Sequence, residues 1–395
     1  MADPNIITLK LSDEASTTNT SAQSRFGSLN PAELAAQDPE NEIEAKNTEE
    51  ASEHTTNVHN VMRATEQISI SEIGQERAAT EIIVIYLLDR VAVFRDLEGL
   101  RARGWNNLDA DKAFEQQRQR ADAANGSAAT RLYQMMERNG RQLDVATSGF
   151  HIPRVGTAEE PLNIVDFCMA PGGFLKTALN VNAGARAVAF TLPVEDGGHK
   201  ILLPLSDNIQ VKCLDITMPA TDMGVTNILK EHEDASKFLP RMFPADSRPF
   251  DPLLSATGKS SLALGLEHLK QGGTMIVLLH KVEAWRTVRL LHQFSKFSTV
   301  QLFKPTKAHA TRSSFYMVAT SIYPLRAEAV KAVEDWKETW RLATFGTEHE
   351  YREATSKDDA TVHAILEDFG DNLVDWGKKI WKTQSDALAQ KSWTK

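Results

Sequence analysis

The residues whose types and spacing could do chemistry cluster at three places. The first is Val165-Asp166-Phe167-Cys168-Met169-Ala170-Pro171-Gly172-Gly173-Phe174, an apolar strand that runs through a Pro-Gly-Gly turn into a helix. Glycines at such a turn permit positive φ and let the backbone approach a ligand closely. The helix that follows presents unpaired N–H groups at the carboxyl edge of the sheet. Asp166 places a carboxylate at the same edge. The second place is Asp215, which follows the apolar run QVKCL, and the third is Lys281, which follows TMIVLLH. A carboxylate or an amine at a strand end can hold a polar ligand or manage a proton. Each also has a plainer reading, Asp215 as a strand-end cap and Lys281 as a surface lysine.

The spacing of the glycines separates the nucleotide-binding loops. The dinucleotide fingerprint G-x-G-x-x-G is absent, which argues against a nicotinamide-dependent oxidoreductase. The phosphate loop G-x-x-x-x-G-K-[ST] is absent too. Gly258-Lys259-Ser260 imitates its end, but Leu253 stands where its first glycine belongs, so the triplet reads as a helix start. No Cys/His spacing suits a metal, and no metal site is expected.

The elements that must position these residues can be read from the apolar pattern. From 162 onward, short β-branched runs alternate with helical segments: LNIVDFC, a helix from Gly173, RAVAFTL, NIQVKCL, TMIVLL, a helix over 283–296, STVQLF and SFYMVATSIY. Strand alternating with helix implies a parallel sheet. The last two strands have only a short basic loop between them and read as an antiparallel hairpin at the sheet edge. Helical patterns flank this region, with Ile82, Ile83, Ile85, Leu87 and Leu88 on one side and a tryptophan-rich stretch from 325 on the other. The predicted organisation is a tail over 1–65, a helical region over 66–150, an α/β domain over 151–324 and a helical extension over 325–395. The tail is rich in Ser, Thr, Asn and Glu and is expected to be disordered. Cys168 and Cys213 read as reduced core residues.

D-x-x-x-A-P-G-G-F, beginning at Asp166, resembles the cofactor motif of the FtsJ-like RNA 2′-O-methyltransferases. The resemblance covers about residues 128–322. It implies a Rossmann-like methyltransferase sheet with helical N- and C-terminal flanks and S-adenosylmethionine as cofactor. By that resemblance Asp166, Ala170, Pro171, Gly172, Gly173 and Phe174 line the cofactor, and Asp215 lies near its adenine. Lys281 matches the lysine of a Lys-Asp-Lys-Glu tetrad that orients and helps deprotonate a ribose 2′-hydroxyl. RNA is then the implied substrate. At the end of the second strand the family often has an acid for the cofactor ribose. Here Thr191 stands there, and Glu195 or Asp196 could reach instead.

The other tetrad members are missing. Gln134 occupies the first lysine position, and Ser314 the glutamate position. The strand that should carry the aspartate begins Pro249-Phe250-Asp251, and counting on reaches Ala256. Pro252 would remove a ladder donor from a central strand. The span from Asp251 to Gly272 reads as too short, with a segment missing and the middle of the sheet incomplete. A catalytically silent S-adenosylmethionine- or RNA-binding relative is therefore the alternative to an active enzyme.

Charge fits a nucleic-acid partner only locally. The net charge is −9, but residues 1–60 hold 11 acidic and three basic residues, which leaves the rest of the chain near neutral. Lys281, Arg286, Arg289, Lys296, Lys304, Lys307 and Arg312, with Glu283 as the one acid among them, form a basic run that could meet phosphate. A solvated helix and hairpin loop would look the same. No run of eighteen apolar residues occurs, so no membrane partner is expected, and the start lacks the pattern of a secretory signal. An intracellular protein, of cytoplasm or nucleus, is the expectation. Oligomeric state is not legible.

Overall fold

A computed structural model of the chain describes residues 76–110, 112, 115, 126–152, 161–232, 234–244, 247–256, 258–355 and 359–394. The acidic tail over 1–65 lies outside the described residues. Helices α1 (76–90), α2 (Ala92–Trp105) and α3 (Gly126–Thr147) precede the sheet. The sheet and its helices follow as β1 (Asn163–Asp166), α4 (Gly173–Val181), β2 (Arg186–Thr191), β3 (Ile209–Cys213), β4 (Phe250–Ala256), α5 (Gly258–His268), β5 (Leu269–His280), α6 (Trp285–Ser295), β6 (Thr299–Phe303) and β7 (Ser314–Thr320). The C-terminal helices are α7 (Ala327–Phe345), α8 (Glu348–Thr355) and α9 (Asp359–Ala389).

Seven strands form one sheet in the order β3-β2-β1-β4-β5-β7-β6. All neighbours run parallel except that β7 is antiparallel to both β5 and β6. The hairpin read from the sequence is therefore present, with β6 at the edge. Alternate residues of each central strand enter different cores. Val165, Met275, Val277, Phe315 and Met317 face one, whereas Ile164, Ile276 and Val318 face the other. A parallel sheet covered on both faces needs this continuous apolarity, because successive side chains point to opposite sides.

The incomplete sheet expected around Asp251 is overturned. β4 has seven residues and pairs with β1 and β5. Pro252 is accommodated by register shifts on the β5 side, between Phe250 and Pro252 and between Leu253 and Ala256. Helix α5 begins two residues after β4 and ends immediately before β5. The connections are short and the strand is whole. Asp251 lies at the amino-terminal end of β4, where it accepts from the Asn163 N–H at 2.8 Å and pairs with Lys270 at 3.2 Å. The cysteines are free thiols, but only partly as expected. Cys168 is half-buried, and Cys213 is exposed because β3 is an edge strand with no fully buried position.

Helices α1, α2, α7 and α9 close over one face of the sheet, around a buried polar cluster, while α3 packs on the other. Arg101 of α2 donates to Glu283 at 2.7 Å and to the Gln384 side chain of α9 at 2.9 Å. The Trp381 indole donates to the other Glu283 oxygen at 3.2 Å, and Gln384 donates to the Thr311 carbonyl at 3.2 Å. Arg101 and Glu283 side chains are 8% and 4% exposed. Burial alone would raise the Glu283 carboxyl, but the Arg101 charge and hydrogen bond, with Lys281 adding to them, hold it below the ordinary range. Trp381 also packs on Phe94, with ring centroids 5.0 Å apart.

The basic run over 280–312 does not form one free surface. Arg286 pairs with Glu76 at 2.7 Å, and both His292 and Lys296 reach Asp368. Helices remote in sequence thus supply the counter-charges. Lys304 is buried and donates to the carbonyls of His309, Arg312 and Ser314, which fixes the β6–β7 loop. Burial, with Arg101 and against Glu283, pushes its amine down to about 7. His309, in the left-handed region at φ 61°, is driven down to about 4 by burial and by Arg312, Lys304 and His280.

Among the described residues, no helix is long and apolar enough to cross a membrane, and no group of three His, Cys, Asp or Glu side chains forms a metal site.

Two outcomes follow from this packing. Arg101→Met leaves Glu283 charged and buried and should cost ~3–5 kcal/mol in urea unfolding, while adding Glu283→Gln should recover much of it. His309 binds its proton more weakly folded, near pH 4, than unfolded, near 6.5. Stability should therefore fall as pH drops through that window, because the unfolded chain takes up the proton first. His309→Asn, which keeps a residue tolerant of left-handed backbone, should flatten thermal stability between those pH values.

Candidate functional site

The carboxyl edge of the sheet gathers most of the residues singled out in the sequence. Asp166 ends β1, is 1% exposed, and accepts from the Cys168 N–H at 3.1 Å. The chain then turns through Ala170, Pro171 and Gly172 into α4. Gly172 caps the helix at φ 109°, and a Cβ there would lie 2.6 Å from the Leu203 Cβ. The glycine is therefore required by backbone conformation and by the segment folded over it. That segment is held by Leu202 and Leu203 N–H groups donating to the Pro171 carbonyl at 3.0 and 3.2 Å. Gly173 presses on α3, where a Cβ would meet the Tyr133 carbonyl oxygen at 2.6 Å. The Phe174 ring is buried beside Tyr316, with centroids 5.1 Å apart. It anchors the turn by packing, on the side of the sheet core.

The loop after β2 decides between the two acids that the sequence left open, Glu195 and Asp196. A single 3-10 turn, Val194–Asp196, is closed by Gly197 in the left-handed region at φ 92°. Glu195 is exposed, whereas Asp196 is turned inward. Both Asp196 carboxylate oxygens are buried, and among the described residues neither has a hydrogen-bond partner. A buried acceptor left so costs ~1–3 kcal/mol, and more when charged. Such a group takes its donor from outside the described residues, from a water or from a ligand. The sequence offered Glu195 and Asp196 alike in place of a strand-end acid at Thr191, and burial separates the two.

Asp215 follows β3 and is buried. Its carboxylate accepts from the Thr217 N–H at 2.9 Å and from the Thr217 hydroxyl at 2.8 Å. These are the bonds of a cap. Burial raises its carboxyl, the Thr217 bonds oppose this, and the Asp196 charge adds to the rise. Asp166, Asp196 and Asp215 thus stand at the carboxyl ends of β1, β2 and β3 or in the loops just beyond. Three buried carboxylates beside a glycine turn suit a ligand that combines positive charge with hydroxyl and amine donors. S-adenosylmethionine, with its sulfonium, ribose hydroxyls and adenine amine, has that donor set.

The other half of the edge holds Lys281, which leaves β5 in the left-handed region at φ 48°. Its N–H donates to the Ser313 carbonyl at 3.1 Å, and its carbonyl accepts from the Ala284 N–H at 3.0 Å. The side chain is half-buried, and its ammonium makes no hydrogen bond to a described residue, although its charge acts on Glu283. Ser314 is paired in register with His280, directly beside Lys281. Its hydroxyl is buried and without a partner among the described residues. His280 stays below its ordinary range because of burial and the charges of Arg312 and Lys304. Gln134 is exposed on α3. Ala256 ends β4, so its backbone lies at this edge, between those of β1 and β5. The fold therefore unites Lys281 with Ser314.

Comparison with known proteins bears on the family. Residues 128–322 match the family model described as FtsJ-like methyltransferase. No curated protein matches the chain. Among solved structures, an rRNA methylase from Streptococcus thermophilus is 15% identical, covering 41% of this chain and 88% of that one, at a TM-score of 0.25. Human methyltransferase-like protein 13, solved with SAH, is 12% identical over 51% of this chain and 91% of that one, at a TM-score of 0.32. The family match spans β1 to β7, including the Ala170-Pro171-Gly172-Gly173 turn and Lys281, and over those residues, just under half of the chain, the chain resembles the S-adenosylmethionine-dependent methyltransferases of the FtsJ-like family.

Proposed function

We propose that the chain methylates a ribose 2′-hydroxyl of RNA, and that the loops after β1, β2 and β3 hold the methyl donor. The observation that carries the cofactor reading is the buried Asp196 carboxylate without a partner, beside the turn at Gly172. In this reading Ala170, Pro171, Gly172 and Gly173 shape the wall of the site, and Phe174 fixes the turn from behind. Asp166 faces the positively charged end of the cofactor, Asp196 accepts from ribose hydroxyls, and Asp215 lies toward the adenine. When bound, S-adenosylmethionine supplies a methyl group on a sulfonium.

The chain's own residues would then orient the attacking hydroxyl and manage its proton. Lys281 is the group best placed for this, half-buried at the strand end, with an ammonium that makes no hydrogen bond to a described residue. Ser314, paired with His280 at the same edge, stands where the family has its glutamate. General-base help of this kind is worth ~10²–10⁴-fold. The members of a catalytic unit are not additive, so one lysine without its acidic partners contributes much less than the set. Gln134, Ala256 and Ser314, where the family has lysine, aspartate and glutamate, favour a second reading. In it the protein binds S-adenosylmethionine or RNA with little or no turnover.

Two measurements test these readings. Asp196→Asn should weaken S-adenosylmethionine binding about tenfold or more by calorimetry, since a hydrogen bond to a charged acceptor is worth ~1.5–3 kcal/mol. Its melting temperature should hold or rise, because the unsatisfied charge is gone. Equal affinity in wild type and variant would remove Asp196 from the site. The unmodified chain should transfer labelled methyl to RNA slowly, and Gln134→Lys with Ser314→Glu should accelerate it. Fast turnover by the unmodified chain that survives Lys281→Ala would assign the chemistry to other residues.

A further inference from the structure

A groove of about 570 Å³ runs along the edge of the sheet between α3, β6 and α9. Its charged lining residues are Arg138, Arg141, Lys304 and Lys379, and no carboxylate lines it. Arg138 and Lys379 are exposed and have no ion-pair partner among the described residues, while Arg141 shares its charge with Glu137 at 2.9 Å. Lys304 lends the wall its stem, since its ammonium is turned into the β6–β7 loop. Gln301 and Thr306 add neutral polar groups. The one aromatic on the wall, Phe303, is 9% exposed, so the groove offers charge and not a stacking platform.

We propose that this groove binds the phosphate backbone of single-stranded RNA, leading the strand to the reaction centre. The inference rests on the functional reading above and deepens it. Three placements carry it. Arg138, Arg141 and Gln142 lie on one face of α3, and Gln134 is four residues before Arg138 on that same face. The groove thus continues from the position the family gives its first catalytic lysine. Lys379 and Thr383, one turn apart on α9, form the opposite wall, while Ile380, Trp381 and Gln384 on the other side are buried. That buried side is fixed by the Trp381–Glu283 and Arg101–Gln384 bonds, so the wall is preformed and tied to the loop that carries Lys281. The family match ends at residue 322, so the C-terminal helix contributes a wall that lies outside the matched residues. Cations without counter-ions on facing walls suit a polyanion, and the absence of exposed aromatics predicts binding that is insensitive to base sequence.

The test is fluorescence anisotropy of the full chain with a 5′-labelled 20-nucleotide oligo-uridine, titrated at several salt concentrations. Arg138→Glu with Lys379→Glu should weaken binding at least tenfold. The milder Arg138→Gln with Lys379→Gln should flatten the dependence of log affinity on log salt by roughly 1.4, at ~0.7 per lost single-strand phosphate contact. S-adenosylmethionine calorimetry on the same variants should be unchanged, which shows that they fold. Unchanged RNA affinity and salt slope in both variants would overturn the groove and leave the methyltransferase reading standing. Poly-glutamate that binds as tightly as the RNA, with the same dependence on Arg138 and Lys379, would overturn RNA as the occupant. Wild-type chain that binds the RNA through the groove but fails to bind S-adenosylmethionine would support the groove while removing the cofactor reading.

Discussion

The buried pair of Arg101 and Glu283 is the contact on which most of the molecule's organisation depends. It joins the helix before the domain, the loop after β5 and, through Trp381 and Gln384, the helix at the end of the chain. Desolvating two charges is costly, and a well-packed apolar pair could stabilise as much. What the ion pair adds is direction. A carboxylate with an arginine on one oxygen and an indole on the other has a fixed orientation, and Glu283 is two residues from Lys281. The backbone at Lys281 is itself confined, with a positive φ and both of its polar groups bonded. The flanking helices therefore do more than cover the sheet. They hold the strand end at which the amine emerges.

The loops after β1 and β2, the proposed cofactor side, show the complementary arrangement. There the backbone is close-packed and the side chains are left with unused capacity. Leu203 over Gly172 and α3 against Gly173 leave no room for a Cβ, so the turn is rigid before any ligand arrives. Against this wall, Asp196 keeps a buried carboxylate without a donor among the described residues. Stability is lower for it, and a site that must bind a donor-rich ligand gains by having the acceptor already desolvated. At the start of β7 the buried Ser314 hydroxyl has the same character, with no partner among the described residues.

The motif and the alternation of strand and helix were legible because they are local. An apolar strand, a Pro-Gly-Gly turn and a following helix are dictated by residues adjacent in the chain. The same holds for the β6–β7 hairpin, whose short loop allows no crossover. β4 was misread for a reason equally physical. Pro252 and the short span to Gly272 argue against a central strand when only composition is weighed, yet a ladder can shift register around one missing donor when both neighbouring strands are in place. The sequence left the basic run open between a phosphate-binding and a solvated surface because its counter-charges, Glu76 and Asp368, lie far from it in sequence.

The sequence by itself determined the family resemblance, the turn at Gly172 and the position of Lys281 at a strand end, because each rests on contiguous residues whose conformational preferences agree. Only the tertiary structure decided which charges remain free. It turned Asp196 inward and Glu195 outward, consumed Arg286, Lys296 and Lys304 within the fold, and left Arg138 and Lys379 facing one another across a groove. Burial and ion pairing depend on which distant segments meet. That information is spread over the whole chain and is set only when α2 and α9 close on the sheet.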